Sequence, residues 1–282
     1  MKLKTTILTS VFMVSALLSG CDRNPKNESA LKSDAEGIIE NDTISKTAET
    51  ENQISNFPKD VEILLLRNYR EESNGYPKNV KNKKWMVLYK DSKTGNWMIA
   101  EEKPQIKYSF DECAAENTMD ISSKYEGAVL FFSQFEGLSK TLNTAAENKN
   151  LVPDKPVSFE MNGKTYSLLA KAKIFDDEGN PISSDQIEND AEGNPDIPMM
   201  KSYKLSFETG NKSSQIAEIR STDNVTPKLI WAGDLNGDGL PDMILDLSAG
   251  YEEEHLYFFL SDPSDPKNQL KKAADLLVVF DC

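Results

Sequence analysis

Near the end of the sequence, oxygen-bearing side chains recur at a spacing that could hold a metal ion. Asp234, Asn236 and Asp238 occupy alternate positions, and Asp242 adds a further carboxylate. Calcium takes six to eight oxygen ligands, and its loops place carboxylate or amide oxygens on alternate residues because a tightly curled backbone directs them toward one centre. Without a cation, the neighbouring carboxylates would repel one another. The spacing therefore predicts a calcium loop over residues 234–242.

The residues between these side chains are consistent with the same loop. Gly239 stands where a sharp turn needs a positive φ angle, and the carbonyl of Leu240 would be a further ligand. An EF-hand would also require Glu at the twelfth position of the loop, where this sequence has Leu245. The sequence thus fails the helix-loop-helix pattern, and it leaves an acidic surface turn and a catalytic metal site as the alternatives to a structural calcium ion.

Strand-like sequence lies on both sides of the loop, at residues 228–232 and 243–247. In this context the loop resembles the FG-GAP and VCBS repeats, in which a D-x-[DN]-x-D-G-x-x-D loop binds calcium between two strands. The resemblance implies the following ligands: the side chains of Asp234, Asn236, Asp238 and Asp242, and the carbonyl of Leu240. Those families usually tile several repeats into a propeller, whereas this sequence has one full copy, so a full propeller is not expected.

The first residues of the sequence predict export and lipid anchoring. Residues 1–20 carry two lysines and then a short apolar stretch that ends in small residues, which is typical of a signal peptide. The run Leu18-Ser19-Gly20-Cys21 resembles the lipobox of bacterial lipoproteins, which implies that Cys21 is acylated. The resemblance places the protein in the cell envelope, attached to a membrane through its lipid and facing the periplasm or the outside. The sequence does not distinguish the inner from the outer membrane.

Composition separates a tether from a folded body. Residues 21–55 begin with the lipidated Cys and then lack aromatic residues and are rich in polar ones, so they are expected to form a disordered tether. The body is expected over residues 56–282. Two other cysteines remain, Cys113 and Cys282, and in an exported protein they are expected to form a disulfide rather than stay as free thiols. The formal net charge of −14 argues against nucleic acid as a partner.

The body is predicted to be mostly β, with antiparallel hairpins in a sandwich-like or two-sheet arrangement. Period-two sequence on either side of Asn162-Gly163 predicts a hairpin with a two-residue turn, and residues 84–89 and 97–100 predict another. The few short helices are expected at 61–70 and 269–275. The body is either one domain or two small sheets divided near residue 150. Residues 176–196 form an acidic segment, expected as an exposed loop, with a second cation site as the alternative.

The sequence favours a non-enzymatic module over an enzyme. His255 is the only histidine, and neither a Gly-rich phosphate loop nor a G-x-S-x-G elbow is present. Pairing of Cys113 would remove it as a nucleophile. We therefore expect a calcium-stabilised domain displayed from a membrane, which binds a protein or an envelope polymer. The alternative is a periplasmic hydrolase that uses paired carboxylates and a structural calcium ion, because the sequence does not show which carboxylates face each other.

Overall fold

A computed structural model describes residues 57–73, 75–265 and 269–280 of the protein. The predicted signal peptide, Cys21, the tether and Cys282 lie outside these residues. The strands are β1 (Ile63–Leu65), β2 (Asn68–Arg70), β3 (Trp85–Lys90), β4 (Trp97–Glu101), β5 (Gln105–Asp111), β6 (Glu116–Ser122), β7 (Ala128–Ser133), β8 (Asn143–Asn150), β9 (Val157–Met161), β10 (Lys164–Phe175), β11 (Pro181–Ile182), β12 (Met199–Thr209), β13 (Lys212–Asp223), β14 (Lys228–Asp234), β15 (Asp242–Asp246), β16 (Glu253–Ser261) and β17 (Leu270–Val279). Two short 3₁₀ turns occur at Val80–Asn82 and Ser184–Gln186.

The strands form four antiparallel sheets. The central sheet has the order β17-β16-β15-β14-β8, and the N-terminal sheet has the order β1-β7-β3-β4. The small sheet is β2-β6-β5, and the long-strand sheet is β11-β10-β12-β13 with β9 also paired to β10. Within the described residues, no sheet closes into a barrel or a propeller. The mostly β, antiparallel prediction is therefore confirmed, as is the expectation that the protein is not a full propeller.

Turn residues explain why the hairpins form where the sequence predicts them. Asn162 and Gly163 have φ angles of 50° and 71°, as a two-residue hairpin turn requires, and they join β9 to β10 with Met161 opposite Lys164. In the turn between β3 and β4, Asp91 Oδ1 accepts hydrogen bonds from the backbone N–H groups of Lys93 at 3.0 Å and Thr94 at 2.7 Å. Local side-chain chemistry thus sets both turns.

The central sheet contributes to a hydrophobic cluster on each of its faces. In β15, Ile244 belongs to a first cluster that it shares with the N-terminal and small sheets. Its neighbours Met243 and Leu245 belong to a second cluster that they share with the long-strand sheet. Because successive side chains of a strand point to opposite faces, the apolar run of β15 fills both clusters. The first cluster draws mainly on residues before 143, and the second on residues after 144, apart from this shared sheet.

The two predicted helices are wrong, because both segments are strands. Residues 61–70 contain β1 and β2, and all three residues of β1 are buried, whereas an amphipathic helix would bury one stripe. Residues 269–275 begin β17, which pairs along its length with β16. The Lys and Ala residues of β17 favour a helix, but tertiary pairing overrides such weak local preferences. No helix in the described part of the chain is long and apolar enough to cross a membrane.

Candidate metal centre

The predicted calcium loop is the connection between β14 and β15 in the central sheet. Asp234 ends β14 and Asp242 begins β15, and Gly233 pairs with Asp242 at the base of the loop. A Cβ atom on Gly233 would lie 2.3 Å from the backbone oxygen of Asn143 in β8. Only glycine allows this close approach of β8 and β14, and the approach fixes where the loop begins.

Within the loop, the predicted ligands accept hydrogen bonds from nearby backbone N–H groups. The two carboxylate oxygens of Asp234 accept from Gly237 at 2.7 Å and Gly239 at 3.0 Å. Both glycines have left-handed φ angles, 77° and 81°, which the curled backbone requires. Asp238 Oδ1 accepts from the N–H of Leu240 at 2.8 Å. The backbone of the loop therefore curls around the carboxylates of Asp234 and Asp238.

Asn236 and Asp238 also contact the end of the next strand, β16. The side-chain amide of Asn236 donates to Asp238 Oδ2 at 3.1 Å and to the backbone oxygen of Ser261 at 3.2 Å. The hydroxyl of Ser261 lies 2.8 Å from Asp238 Oδ2 and 2.9 Å from Asp242 Oδ1, and its one proton is shared between these two acceptors. The loop is thus fastened to a residue that lies outside the predicted motif.

Asp242 is completely buried and differs from the other predicted ligands. Its Oδ2 accepts from the N–H groups of Leu235 at 2.6 Å and Asn236 at 3.1 Å. Its Oδ1 accepts from the N–H of Ser261 at 2.7 Å and lies 2.9 Å from the Ser261 hydroxyl that it shares with Asp238. Burial raises the pKa of Asp242 to about 7, against the lowering effect of the hydrogen bonds from Ser261 and Leu235, and the charge of Asp238 adds to the rise.

Counting lone pairs shows which oxygens could still accept a cation. A carboxylate offers about four acceptor positions, and backbone N–H groups fill three of them at Asp242. The Ser261 hydroxyl, which Asp242 shares with Asp238, lies within reach of the fourth. Each oxygen of Asp234 and Oδ1 of Asp238 has one protein donor and keeps a position open. Asn236 Oδ1 likewise has one donor, the N–H of Asp238 at 3.1 Å. These hard oxygen donors fit calcium, while Asp242 supports the loop from the interior.

The charge of the loop is not balanced by basic side chains. Within the described residues, no lysine, arginine or histidine forms a salt bridge with Asp234, Asp238 or Asp242. In the same part of the chain, no group of three or more His, Cys, Asp or Glu side chains is arranged so that it could hold a metal ion. The calcium site and its ligand set, including Leu240 and Asp242, therefore stay predictions.

Several residues that sequence reasoning missed surround the loop. Asn162, in the turn between β9 and β10, donates its side-chain N–H to the backbone oxygen of Gly239 at 2.9 Å. The N–H of Ser139 donates to the backbone oxygen of Leu235 at 2.8 Å. The hydroxyl of Tyr166 is the one buried side-chain polar atom of the described residues without a hydrogen-bond partner, and burial together with the charge of Asp238 raises the pKa of Tyr166. Asn162 was visible in the sequence as a turn residue, but its contact with the loop had no local signal.

A cavity of about 1050 Å³ opens beside the loop. Its lining includes Asn236 and Asp238 from the loop and Asp60, Glu136 and Asp262 from other segments. Asp262 accepts a hydrogen bond from the Lys271 ammonium at 2.7 Å, so this carboxylate has a basic partner. A hydrolase that uses paired carboxylates would have several of them together in this cavity. The hydrolase alternative stays a prediction.

The other residues that the sequence suggests as acids, bases or ligands form hydrogen bonds outside the loop. His255 Nε2 is 3.0 Å from Asp275 Oδ2 on the neighbouring strand. Asp246 accepts hydrogen bonds from the N–H and the hydroxyl of Ser248. In the acidic segment 176–196, Asp190 Oδ1 accepts from the N–H of Asn194 at 2.7 Å, and this bond is the largest cause of its lowered pKa. A second cation in that segment stays a prediction.

Comparisons with known proteins give no relative for this chain. No protein-family model matches the sequence, no curated protein matches it, and no solved structure matches the fold. The function is therefore inferred from the residues of this chain.

We expect Asp242→Asn to destabilise the protein whether or not calcium is present. The amide nitrogen would face backbone N–H groups and leave buried donors unpaired, which costs about 1–3 kcal/mol of unfolding free energy. Urea unfolding in the presence of a chelator measures this loss. Asp190→Asn is the matched control, because that exposed carboxylate also accepts backbone N–H groups, but solvent can replace it there. Equal losses in the two variants would show that Asp242 has no special role in holding the loop.

Proposed function

We propose that the protein is an exported, lipid-anchored lipoprotein whose β-rich body is stabilised by a calcium ion in the β14–β15 loop. One observation supports the calcium ion most directly. Asp234, Asp238 and Asp242 lie in one loop without a salt bridge to a basic side chain of the described residues. A divalent cation would relieve their repulsion and would favour the charged form of the buried Asp242.

The oxygens of Asp234, Asn236 and Asp238 that keep an open acceptor position would bind the ion, with the backbone carbonyl of Leu240 and water. Asp242 would complete the site either as a direct ligand, as the sequence resemblance implies, or by holding the loop closed, as its present hydrogen bonds do. Calcium modules outside the cytoplasm typically bind with dissociation constants of about 10⁻⁴ to 10⁻³ M, which suits a structural ion in the envelope.

We further propose that the body acts as a binding module for a protein or an envelope polymer rather than as an enzyme. Two of the side chains that could act as acids or bases have structural partners: His255 is paired with Asp275, and Asp246 with Ser248. The cavity beside the calcium loop, which includes Asn236, Asp238 and Phe135 in its lining, offers a surface of mixed polar and apolar side chains for such a partner.

Calcium should raise the melting temperature of the wild-type protein, and Asp238→Ala should abolish that rise. At about 1 mM calcium, a site of the expected affinity adds about 0.4–1.4 kcal/mol of stability, which corresponds to about 1–6 °C for a body of this size. Thermal unfolding with calcium and with chelator measures the difference, and calorimetric titration measures the binding. In the control Asp190→Ala, the calcium-dependent rise should persist. A wild-type protein whose melting ignores both calcium and chelator would refute the metal site.

The predicted disulfide between Cys113 and Cys282 is supported by the residues just before each cysteine. The buried guanidinium of Arg70 donates to Asp111 Oδ2 at 3.0 Å and to the backbone oxygen of Phe280 at 3.4 Å. Asp111 and Phe280 each precede one of the cysteines by two residues. Arg70 thus joins the two stretches of chain from which the cysteines follow, and we propose that these pair.

If the disulfide forms, neither Cys113 nor Cys282 should react with iodoacetamide in the unfolded, unreduced protein, whereas both should react after reduction. Peptide mass spectrometry identifies the modified residues. Cys113→Ser should lower the unfolding free energy by about 2–5 kcal/mol, because the unfolded chain loses its cross-link. Alkylation of either cysteine without prior reduction would contradict the pairing.

If the lipid on Cys21 anchors the protein, removing Cys21 should change the cell fraction in which the protein is found. Wild-type protein should sediment with membranes, and Cys21→Ser should be found in the soluble envelope fraction, because without its acyl chains the body has no comparable hold on a bilayer. Cys113→Ser serves as the control and should stay with the membranes. If Cys21→Ser sediments like the wild type, the body or another segment holds the protein to the membrane, and the acylation proposal fails.

A further inference from the structure

Strand β5 (Gln105–Asp111) forms the outer edge of the small sheet. It pairs only with β6, so its other side carries an unused ladder of N–H and C=O groups within the described residues. None of its residues is buried. An exposed strand edge is a template on which another strand can pair.

The edge strand also exposes aromatic side chains on one face. Tyr108 is 57% exposed and Phe110 is 59% exposed, and the partly buried Ile106 shares their face. The ring of Tyr76 contacts that of Tyr108 edge-on, with their centres 6.0 Å apart. This aromatic face adjoins the hydrophobic core: the cross-strand neighbour of Tyr108 on β6 is the buried Met119.

The edge strand of the long-strand sheet has different chemistry. β13 also has a neighbour on one side, and its exposed residues include Lys212, Glu218 and Arg220. Charged side chains are a usual protection against pairing at an edge. The fold therefore does not require an edge strand of this protein to expose aromatic rings, and β5 needs a separate explanation.

We propose that β5 pairs with β5 of a second copy of this chain, antiparallel, with Ser109 on the two-fold axis. In this register Tyr108 lies opposite Phe110 of the partner subunit, and Lys107 lies opposite Asp111 of the partner subunit. The strand is thus complementary to itself in both its aromatic and its charged positions. Cross-strand aromatic pairs and opposite charges each stabilise antiparallel pairing.

Neighbouring registers lack this complementarity. If Lys107 were on the axis, it would lie opposite its own copy, and like charges in that position are destabilising. If Tyr108 were on the axis, Lys107 would lie opposite Ser109 of the partner subunit and would gain no charged neighbour beyond Asp120, which it already faces on β6. Of these registers, the one with Ser109 on the axis is the one that places opposite charges across the two-fold, and this self-complementarity favours a second copy as the occupant.

The dimer would join two small sheets into one continuous sheet. The aromatic faces of both copies would lie side by side and shield one another from water. Asp111 would keep its bond to Arg70, at 3.0 Å, and gain the lysine of the partner subunit. A symmetric interface of this kind uses the same patch on both copies, so it closes at two and does not propagate along the edge.

Sedimentation of the full chain over a concentration series, in detergent where its anchor requires it, tests the proposal. The wild type should dimerise, and Lys107→Asp should raise the dissociation constant about tenfold, because it places Asp opposite Asp at two symmetric positions. Lys103→Asp changes the net charge equally but lies outside the paired segment, so it should leave the dimer intact. Phe110→Lys should weaken the dimer further.

Three results would overturn the proposal. The first is that the wild type stays monomeric throughout the concentration series. The second is that the wild type and all variants dimerise equally. The third is that the wild type is monomeric and Phe110→Lys lowers its binding to lipid vesicles. The last result would assign the aromatic face to a membrane surface.

Cross-linking tests the register separately. Ser109→Cys should give a disulfide-linked dimer on a non-reducing gel, because Ser109 lies opposite its own copy at the axis. Ser213→Cys, an exposed serine on the charged edge strand β13, should give little. Tyr108→Cys alone should also give little, because its opposite residue is Phe110 of the partner subunit. If Ser213→Cys cross-links as well as Ser109→Cys, the contact is random collision and the proposal fails.

Discussion

The central sheet must fill a hydrophobic cluster on both of its faces, and the remaining structure depends on this constraint. In β14, Leu229 and Ala232 belong to one cluster, while Ile230 and Trp231 belong to the other. The register of β14 against β15 shifts between Leu229 and Trp231, which lets two successive residues face the same side. Since a slip of one residue would exchange the faces, such a strand fixes its register strongly. The fixed register of β14 therefore also fixes the position at which the following loop begins.

Asp242 links the conformation of the loop to the strand pairing of the central sheet. It is the first residue of β15. Its carboxylate accepts hydrogen bonds from the N–H groups of Leu235 and Asn236 in the loop and of Ser261 at the end of β16. The loop conformation is therefore tied to the pairing of β15 with β16. Burial of a carboxylate is costly even when it accepts several hydrogen bonds, and this burial raises the pKa of Asp242 to about 7 despite the bonds from Ser261 and Leu235. A positive charge beside the loop would supply the missing compensation.

Local chemistry made the hairpins and the position of the loop predictable from the sequence, whereas contacts between distant segments were not. Asn162-Gly163 predicts its own turn because the required φ angles belong to those residues. The donation from Asn162 to Gly239 joins residues 77 positions apart, and the contact of Ser261 with Asp242 spans 19 positions. The helices predicted at 61–70 and 269–275 failed for the same reason. The apolar residues of β1 and the Lys-Ala sequence of β17 suit a helix locally, and only their partner strands decide otherwise.

The small sheet has an edge strand without buried residues, and polar contacts lie at the ends of its strands. Strand β5 buries none of its residues, so the sheet relies on β6, on Tyr69 in β2 and on bonds at its ends. Glu116 accepts the N–H groups of Glu72 at 2.7 Å and Ser73 at 3.2 Å, and Arg70 joins the sheet to the backbone of Phe280. Segments with few buried apolar contacts open more readily than a core does. A disulfide at the end of β5 and a second strand along its free edge would both act on a strand that buries none of its own residues.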